Sequence, residues 1–365
     1  MLIKSVFFNV SIFMSDQDEL PALKIDGLPR ATVEKLELIV RLLQEMTSIQ
    51  VVSEFLKSKG LAHSAGSWQD IRDKRIGPYL TSQKISIQDL IKLLGEAEEF
   101  GRTHVFLFTA KKTDAEACMD ETKIRNLAQR HGVTNALSET LVLDLPEKPT
   151  LVAIRHETEN NQARMVLKLI ESREERELVD TRTEGRRIIK EWEIKNIRAV
   201  NVARLHSSGL LEIRIQSHLN STKYEEDLNK IRMALKDFLP PNVFSPFSLA
   251  KAKAHLWESR ETLKKKIRFS DSTMSNSFGT TLVASTGAEE ADLFNDKGAT
   301  GSIDHFLGHG AHVDSSNIWW LPVDGVCDRE IHMLLSGLNN EFAITANCTK
   351  IEYEYVLNEL RVHSK

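Results

Sequence analysis

Four side chains of metal-binding type lie close together in the last part of the chain: His305, His309, His312 and Asp314. A spacing of four residues would place the first two rings on one face of a helix, where both could reach a single ion. Gly308 and Gly310 disfavour a helix at this point, and the residues between the two histidines do not form an HEXXH motif. The sequence therefore favours a loop with ordinary surface histidines and keeps metal binding as an alternative.

A second arrangement has the residue types of a magnesium-dependent nuclease. Asp180 precedes Glu193-Ile194-Lys195, and carboxylates on neighbouring strands can hold Mg²⁺ while a lysine polarises the attacking water. Glu-x-Lys is common by chance in a chain with 27% charged residues, and Glu191 and Glu193 alternate like residues of a solvated strand face. A metal-dependent hydrolase or nuclease is therefore the alternative function and not the leading one.

The sequence lacks the motifs of the common cofactors and nucleophiles. It contains no GxGxxG, no GxxxxGK[ST] and no GxSxG, so we expect no resident cofactor and favour a protein that is not an enzyme. Cys118, Cys327 and Cys348 are too few and too far apart for a disulfide scaffold or a zinc ribbon. This pattern favours the cytoplasm or another reducing intracellular compartment.

The formal net charge of -4 conceals an uneven distribution along the chain. Residues 186–268 hold 18 Lys and Arg against 9 Asp and Glu, whereas residues 269–365 hold 5 against 14. One explanation is that the two regions face each other and neutralise their charges. The other is that the basic region binds an anion, above all nucleic acid, because Lys and Arg neutralise phosphates.

Two groups of basic residues are the candidate nucleic-acid contacts. The first follows a predicted helix over 248–266 and continues beyond it: Lys251, Lys253, Arg260, Lys264, Lys265, Lys266 and Arg268. Within it, the spacing of seven and four between Lys253, Arg260 and Lys264 predicts one shared helical face. The second group is expected to form an exposed basic face on a sheet: Arg198, Arg204 and Arg214. No recognised nucleic-acid-binding motif accompanies either group.

The elements that must position these residues follow from the hydrophobic pattern. Between residues 28 and 140, apolar residues recur at helical spacing, and the run at 104–108 predicts one buried strand. Strict alternation at 211–216, with similar runs before it, predicts an antiparallel meander followed by two helices. The Ser-, Asp- and Gly-rich stretches 271–276 and 287–302 indicate loops, with short strands around them and a last helix over 351–362.

The N-terminal 13 residues are apolar and β-branched, which leaves two alternatives open. They form a true first strand, or translation begins at Met14, where a polar stretch opens. No run of about 20 apolar residues occurs in the sequence, so we expect no membrane-spanning helix.

Together these patterns predict an α+β fold with four regions: an extension over 1–27, a mainly helical module over 28–140, an antiparallel sheet with basic helices over 149–268, and an acidic β/α region over 269–365. The predicted function is that of an intracellular interaction protein. Its cationic central region would bind DNA or RNA, and its helical module would bind a protein partner.

Overall fold

The computed structural model describes residues 29–159, 161–218, 224–287, 291–335 and 339–365. It confirms the predicted α+β class. The chain divides into two compact units, one ending at Leu90 and the other running from Ile91 to Lys365. The predicted extension over 1–27, with its two alternatives, lies outside the described residues. None of the described helices has the length and apolar character needed to cross a bilayer.

In the first unit the described secondary-structure elements are helices. The helices are α1 (Arg30–Met46), α2 (Ile49–Ser58), α3 (Trp68–Ile71), a π-helical turn (Arg72–Ile76) and α4 (Gly77–Thr81), and α5 (Ile87–Glu99) spans the boundary. The predicted apolar stripe is confirmed, because Leu36, Ile39, Val40 and Leu43 are buried on α1. Ser67 caps α3 by accepting a hydrogen bond from the N–H of Asp70, as its position before the helix indicates.

The second unit is built on one antiparallel sheet. Its described strands are β1 (Thr103–Thr109), β2 (Thr150–Glu159), β3 (Gln162–Glu184), β4 (Arg187–His206), β5 (Leu210–Gln216), β6 (Ser245–Pro246), β7 (Ile267–Ser275), β8 (Thr281–Ser285), β9 (His312–Trp320), β10 (Ile331–Leu335) and β11 (Glu341–Ile344). Their order across the sheet is β2-β3-β4-β5-β1-β11-β10-β9-β7-β8, and β6 pairs with β1. The sheet therefore takes strands from all three regions predicted after residue 28. The predicted region boundaries themselves stay predictions.

Helices pack on both faces of this sheet. They are α6 (Lys112–Cys118), α7 (Glu121–Arg130), α8 (Glu225–Ala234), α9 (Ala250–Glu258), α10 (Arg260–Leu263), α11 (Lys297–Gly308) and α12 (Lys350–His363), with 3₁₀ turns at Thr134–Leu137, Pro241–Val243 and Leu293–Asn295. Alternation along β1 sends Val105 and Leu107 into a core shared with α9 and α12. Phe106 enters the opposite core, shared with α7 and α8, so β1 is buried on both faces.

Two stretches predicted as loops are regular structure. Residues 271–275 belong to β7, where Ser272 pairs with Ser316 of β9 and their hydroxyls lie 2.8 Å apart. Residues 297–302 begin α11, whose first N–H groups are capped by Asp296. Both predictions were wrong because sheet pairing and a side-chain cap satisfy polar residues that resemble a loop in isolation.

The longest pairing in the sheet is between β3 and β4. The two strands pair from Arg164 and His206 out to Glu184 and Arg187. β2 accompanies β3 only as far as Ile170, and β5 accompanies β4 only between Asn201 and Leu205. Residues 176–194 therefore form a two-stranded projection that we call the hairpin arm. At about 3.3 Å per residue, its nine-residue outgoing strand extends for about 30 Å.

Candidate nucleic-acid interface

The three arginines predicted to form an exposed basic face on the sheet are buried. Arg198 is 8% exposed, Arg204 2% and Arg214 1%. The prediction of an exposed face is therefore wrong for these residues. Alternation along β4 and β5 places them on one face of the sheet, as expected, but that face is covered and lined with carboxylates.

Arg214 has its charge satisfied inside the second unit. Its Nη2 lies 2.8 Å from Glu212 Oε2, its Nη1 donates to the carbonyl oxygen of Glu99 at 3.1 Å, and its guanidinium lies 4.1 Å from the Tyr353 ring centroid. Burial alone would lower the pKa of Arg214, but its neighbours, Glu212 among them, outweigh burial and raise that pKa. For Glu212 the two effects have the opposite signs. Burial would raise the pKa of this carboxyl, but Arg214 and His206 outweigh burial and hold that pKa well below its ordinary value.

The other two arginines are also paired with buried carboxylates. Arg204 contacts Glu354 of α12, which also accepts a hydrogen bond from Arg164 at 3.2 Å. Arg198 Nη1 lies 2.5 Å from Glu98 Oε1, and its Nε donates to the carbonyl oxygen of Leu143 at 2.7 Å. These side chains form a buried ionic network, so their charges are not available to phosphates.

The basic segment of α9 and α10 is divided by its fold. α9 ends at Glu258 and α10 ends at Leu263, so the single helical face predicted for Lys253, Arg260 and Lys264 does not exist. Lys253 is 2% exposed and donates to the carbonyl oxygen of Asp314 at 2.6 Å; burial lowers its pKa. Trp257 packs in the core, with Nε1 donating to Asp304 at 3.0 Å, so it is not a free stacking platform.

Ion pairs join the basic region to the acidic one, as the first explanation of the charge pattern required. They link Arg204 to Glu354, Arg260 to Asp304 and Arg268 to Glu330. Arg268 is also stacked over the Trp319 ring, at 4.5 Å from its centroid. Part of the cationic middle of the chain is thus neutralised by the acidic C-terminal region.

The remaining predicted basic residues lie at the surface. Lys264 is 3.4 Å from Glu261, Lys266 is 3.9 Å from Glu359, and Lys251 donates to the backbone carbonyl of Lys365 at 3.2 Å. Lys265, between the first two, is exposed as well. These lysines stay predicted phosphate contacts, but Lys264, Lys265 and Lys266 occupy a turn after α10, whereas Lys251 lies on α9.

The predicted metal ligands are divided into two pairs. His305 and His309 have ring centroids 4.3 Å apart at the end of α11, with His309 Nδ1 2.7 Å from the carbonyl oxygen of His305. His312 lies on β9 and pairs with Asp314 at 3.0 Å. Across the described residues, no group of three or more His, Cys, Asp or Glu side chains is arranged to hold an ion. The metal site stays a prediction.

Of the residues of the nuclease alternative, Asp180 and Glu193 lie on one face of the hairpin arm, and Lys195 continues that face at the base of the arm. Asp180 is opposite Glu191 and pairs with Arg182 at 3.0 Å, whereas Glu193 is opposite Glu177 and pairs with Lys195 at 3.0 Å. Glu177 and Glu193 together raise the pKa of Lys195, which keeps that amine protonated. Each of these side chains is about half exposed. The nuclease hypothesis stays a prediction.

The tip of the hairpin arm presents basic residues that belong to neither group predicted from the sequence. Gly185, at φ +60°, occupies the first central position of the two-residue turn, as a type II′ hairpin requires. Arg186 and Arg187 follow it, and Lys190 comes three residues later. Within the described part of the chain none of these three side chains has an ion pair, whereas Arg182 is held by Asp180, Glu184 and Glu191.

The two faces of the hairpin arm differ in chemistry. The face with Arg182 and Glu193 carries a ladder of charged pairs, which continues to Lys195 at the base of the arm. The opposite face carries large apolar side chains, each more than 40% exposed: Leu178, Ile188, Trp192 and Ile194. Gly185-Arg186-Arg187 separates two runs of mixed polar and apolar residues, so the sequence does contain a hairpin signal. No local pattern indicates that both strands extend beyond the sheet.

Comparison of the chain with known protein families gives no match, and comparison with curated proteins gives none either. The class that the fold defines is therefore the one stated above, an α+β protein with a large antiparallel sheet.

Proposed function

We propose that this protein is a non-enzymatic nucleic-acid-binding protein that uses the tip of its hairpin arm. The observation that carries the proposal is the contrast between two sets of cations. Arg198, Arg204 and Arg214 are buried and paired with carboxylates. In the described residues, Arg186, Arg187 and Lys190 are instead exposed and without a carboxylate partner, at the end of a projection free of the sheet.

The shape of the arm favours duplex DNA over the other nucleic acids. The major groove of B-form DNA is about 12 Å wide and admits a two-stranded β-ribbon, whereas the major groove of A-form RNA is too narrow for side chains to read. Unpaired guanidinium groups at the tip are suited to phosphates and to guanine edges. The exposed lysines Lys251, Lys264, Lys265 and Lys266 stay predicted as secondary, sequence-independent phosphate contacts.

Salt dependence of binding tests this proposal quantitatively. Affinity for a duplex of about 20 base pairs would be measured by fluorescence anisotropy at several salt concentrations, because each neutralised phosphate contributes about 0.9 to the slope of log K against log salt. The variant Arg186→Ala/Arg187→Ala/Lys190→Ala should bind more weakly and lose about 2.7 from the magnitude of that slope.

The matched control removes three charges elsewhere: Lys264→Ala/Lys265→Ala/Lys266→Ala. A smaller loss in this control than in the arm variant supports the arm as the main contact. An equal or larger loss of affinity in this control would show that the arm is not the main contact. The interface would then be formed by the lysines indicated by the sequence. No binding by the wild-type chain overturns nucleic-acid binding altogether. Parallel titrations with RNA duplex and single strands show whether the preference for DNA is correct.

Two further expectations stay proposals alongside this one. They are a protein partner for the helical module predicted over 28–140 and a reducing intracellular compartment. The first is tested by pulling down partners with the full chain and with variants on the exposed face of α1, and the second by locating a tagged chain in cells.

A further inference from the structure

The two outer strands of the sheet differ in how their free backbone is protected. On β2, the pairing with β3 shifts register between Leu151 and Ala153, and the strand carries Arg155, Glu157 and Glu159. The carbonyl oxygen of Val152 is also occupied by the N–H of Leu141, at 2.9 Å. Bulges, charges and covering segments are the usual means by which proteins prevent unwanted strand pairing at a sheet edge.

At the other edge, none of these protections is found on β8 among the residues that the structure describes. It reads Thr281-Leu-Val-Ala-Ser285, without a charge or a proline, and its pairing with β7 is regular from Thr281 to Ser285. Among the described strands it pairs with β7 alone. An unprotected edge of this kind is a ready site for the addition of another strand.

The hydrogen-bonding direction of each β8 residue follows from the flanking bonds. The N–H of Asn276 bonds the carbonyl of Thr280, and the N–H of Thr286 bonds the carbonyl of Ser270. Since paired positions alternate along an antiparallel ladder, Leu282 and Ala284 direct their backbone groups toward β7. Thr281, Val283 and Ser285 therefore direct theirs away from the sheet.

The outward residues Thr281, Val283 and Ser285 of one chain are complementary to the same three residues of a second chain. In an antiparallel pair with a two-fold axis through Val283, the two valines face each other, and Thr281 of each copy faces Ser285 of the other. Leu282 then faces Ala284. No like charges meet, and β-branched and hydroxyl residues are favourable cross-strand neighbours. A two-fold axis is the commonest symmetry of soluble oligomers, and it requires a self-complementary patch of this kind.

Helix α11 leaves space beside this edge. Small residues of α11, Gly298, Gly301 and Ser302, together with β8 line a hollow of about 570 Å³ that ends at His305 and Phe306. Ile303 belongs to the core on this side of the sheet, and Leu282 is partly buried against it. A second copy joined through β8 would bring its own α11 to the same side of the continuous sheet, toward this hollow.

We propose that two copies of this chain associate through β8, forming one continuous antiparallel sheet across a two-fold axis at Val283. This inference is independent of nucleic-acid binding, because it uses neither the hairpin arm nor the exposed lysines. An extended segment of a different protein is the alternative occupant of this edge, since strand addition uses the same backbone groups.

The first test is the mass of the full chain by light scattering across a range of concentrations. The wild type should have the mass of two chains. Val283→Lys and Val283→Pro should halve that mass, or raise the dissociation constant at least tenfold, because each blocks the outward edge while the N–H groups facing β7 are kept. Val362→Lys is the matched control, since Val362 is similarly exposed on α12, and it should stay dimeric.

The second test depends on register and remains informative if a Val283 variant fails to fold. Opposed residues in a hydrogen-bonded pair have Cα atoms about 5.5 Å apart, which suits a disulfide. Mixed Thr281→Cys and Ser285→Cys chains should therefore give a linked dimer on mild oxidation, whereas either variant alone should not. The native cysteines, Cys118, Cys327 and Cys348, are buried and should not compete. A monomeric wild type overturns the proposal, as does a dimer that neither Val283 variant weakens or a cross-link with no preference for the mixture.

Discussion

Glu212 and Arg214 are two residues apart on β5 and form a fully buried ion pair, with 2.8 Å between Oε2 and Nη2. Glu212 also accepts a hydrogen bond from the Tyr353 hydroxyl at 2.7 Å, so one carboxylate joins the sheet to α12. A buried charge of this kind is stable only while its partners remain, because each ion has left water.

Glu212→Gln should therefore destabilise the protein strongly. The variant leaves Arg214 buried without its counter-charge, and removing one partner of such a pair typically costs about 3–5 kcal/mol. Urea unfolding of both proteins at pH 7 measures the difference. Glu177→Gln is the control, because Glu177 pairs with Lys195 on the exposed arm and should cost less than about 1 kcal/mol. Similar losses in the two variants would contradict the role given to the buried network.

His332 should make stability depend on pH. Burial and the nearby charge of Arg268 lower the pKa of His332 to about 4, from an ordinary 6.5. The folded chain thus binds this proton less tightly than the unfolded chain, so the stabilisation by the neutral ring is complete above pH 6.5 and is lost as the pH falls toward 4. By pH 5 this loss is about 2 kcal/mol.

The measurement is urea unfolding at pH 7.5 and pH 5. His332→Gln should lose about 2 kcal/mol less stability between these two values than the wild type, because it has no ring to protonate. His312→Gln removes an exposed histidine on β9 and should behave as the wild type. Identical pH dependence in wild type and His332→Gln would show that the buried ring does not titrate as described.

The start of α12 should be sensitive to loss of its cap. Thr349 accepts a hydrogen bond from the N–H of Glu352, and the Glu352 carboxylate accepts one from the N–H of Thr349, at 2.7 Å. Thr349→Ala should lower the free energy of unfolding by about 1 kcal/mol, whereas Thr349→Ser keeps the hydroxyl and most of the stability. Thermal unfolding of the three proteins gives the comparison, and an alanine variant as stable as the serine one would exclude the cap as a contributor.

The turn of the hairpin arm should tolerate a side chain poorly at Gly185. A β-branched residue at φ +60° is strained, at a cost of order 1–3 kcal/mol. Among the described strands, none pairs with the arm from outside to share that strain. Gly185→Val should speed amide hydrogen exchange in peptides from residues 176–194 and leave the rest of the second unit unchanged. Arg186→Ala, at the neighbouring turn position, should exchange as the wild type. Protection that is unchanged in the valine variant would contradict this account of the turn.

Local patterns in the sequence predicted much of the fold. The helical spacing of apolar residues agrees with the stripe of Leu36, Ile39 and Leu43 buried on α1, and the helix predicted over 351–362 is α12. Alternation identified β5, and short apolar runs identified β10 and β11. These elements are determined by residues within a few positions of each other, which is the range over which periodicity and capping act.

The environment of the charges was not predictable in this way. Alternation correctly put Arg204 and Arg214 on one face of the sheet, but the carboxylate that neutralises Arg204 comes from Glu354, 150 residues later. A polar strand face looks the same in sequence whether water or a buried carboxylate covers it. The hairpin arm was not predictable for the same reason. Whether β3 and β4 extend beyond the sheet depends on where the neighbouring strands β2 and β5 end.

The position of β1 has a consequence for how the chain is made. His104 of this central strand contacts Glu341, 237 residues further along, and β11 completes one side of β1. During synthesis, β1 and β5 can pair early, but the other side of β1 is completed only after β11 has left the ribosome. Contacts of such long range slow folding and expose intermediates to aggregation. Truncation at the C-terminus should therefore cause loss of soluble protein and not only of the last helix.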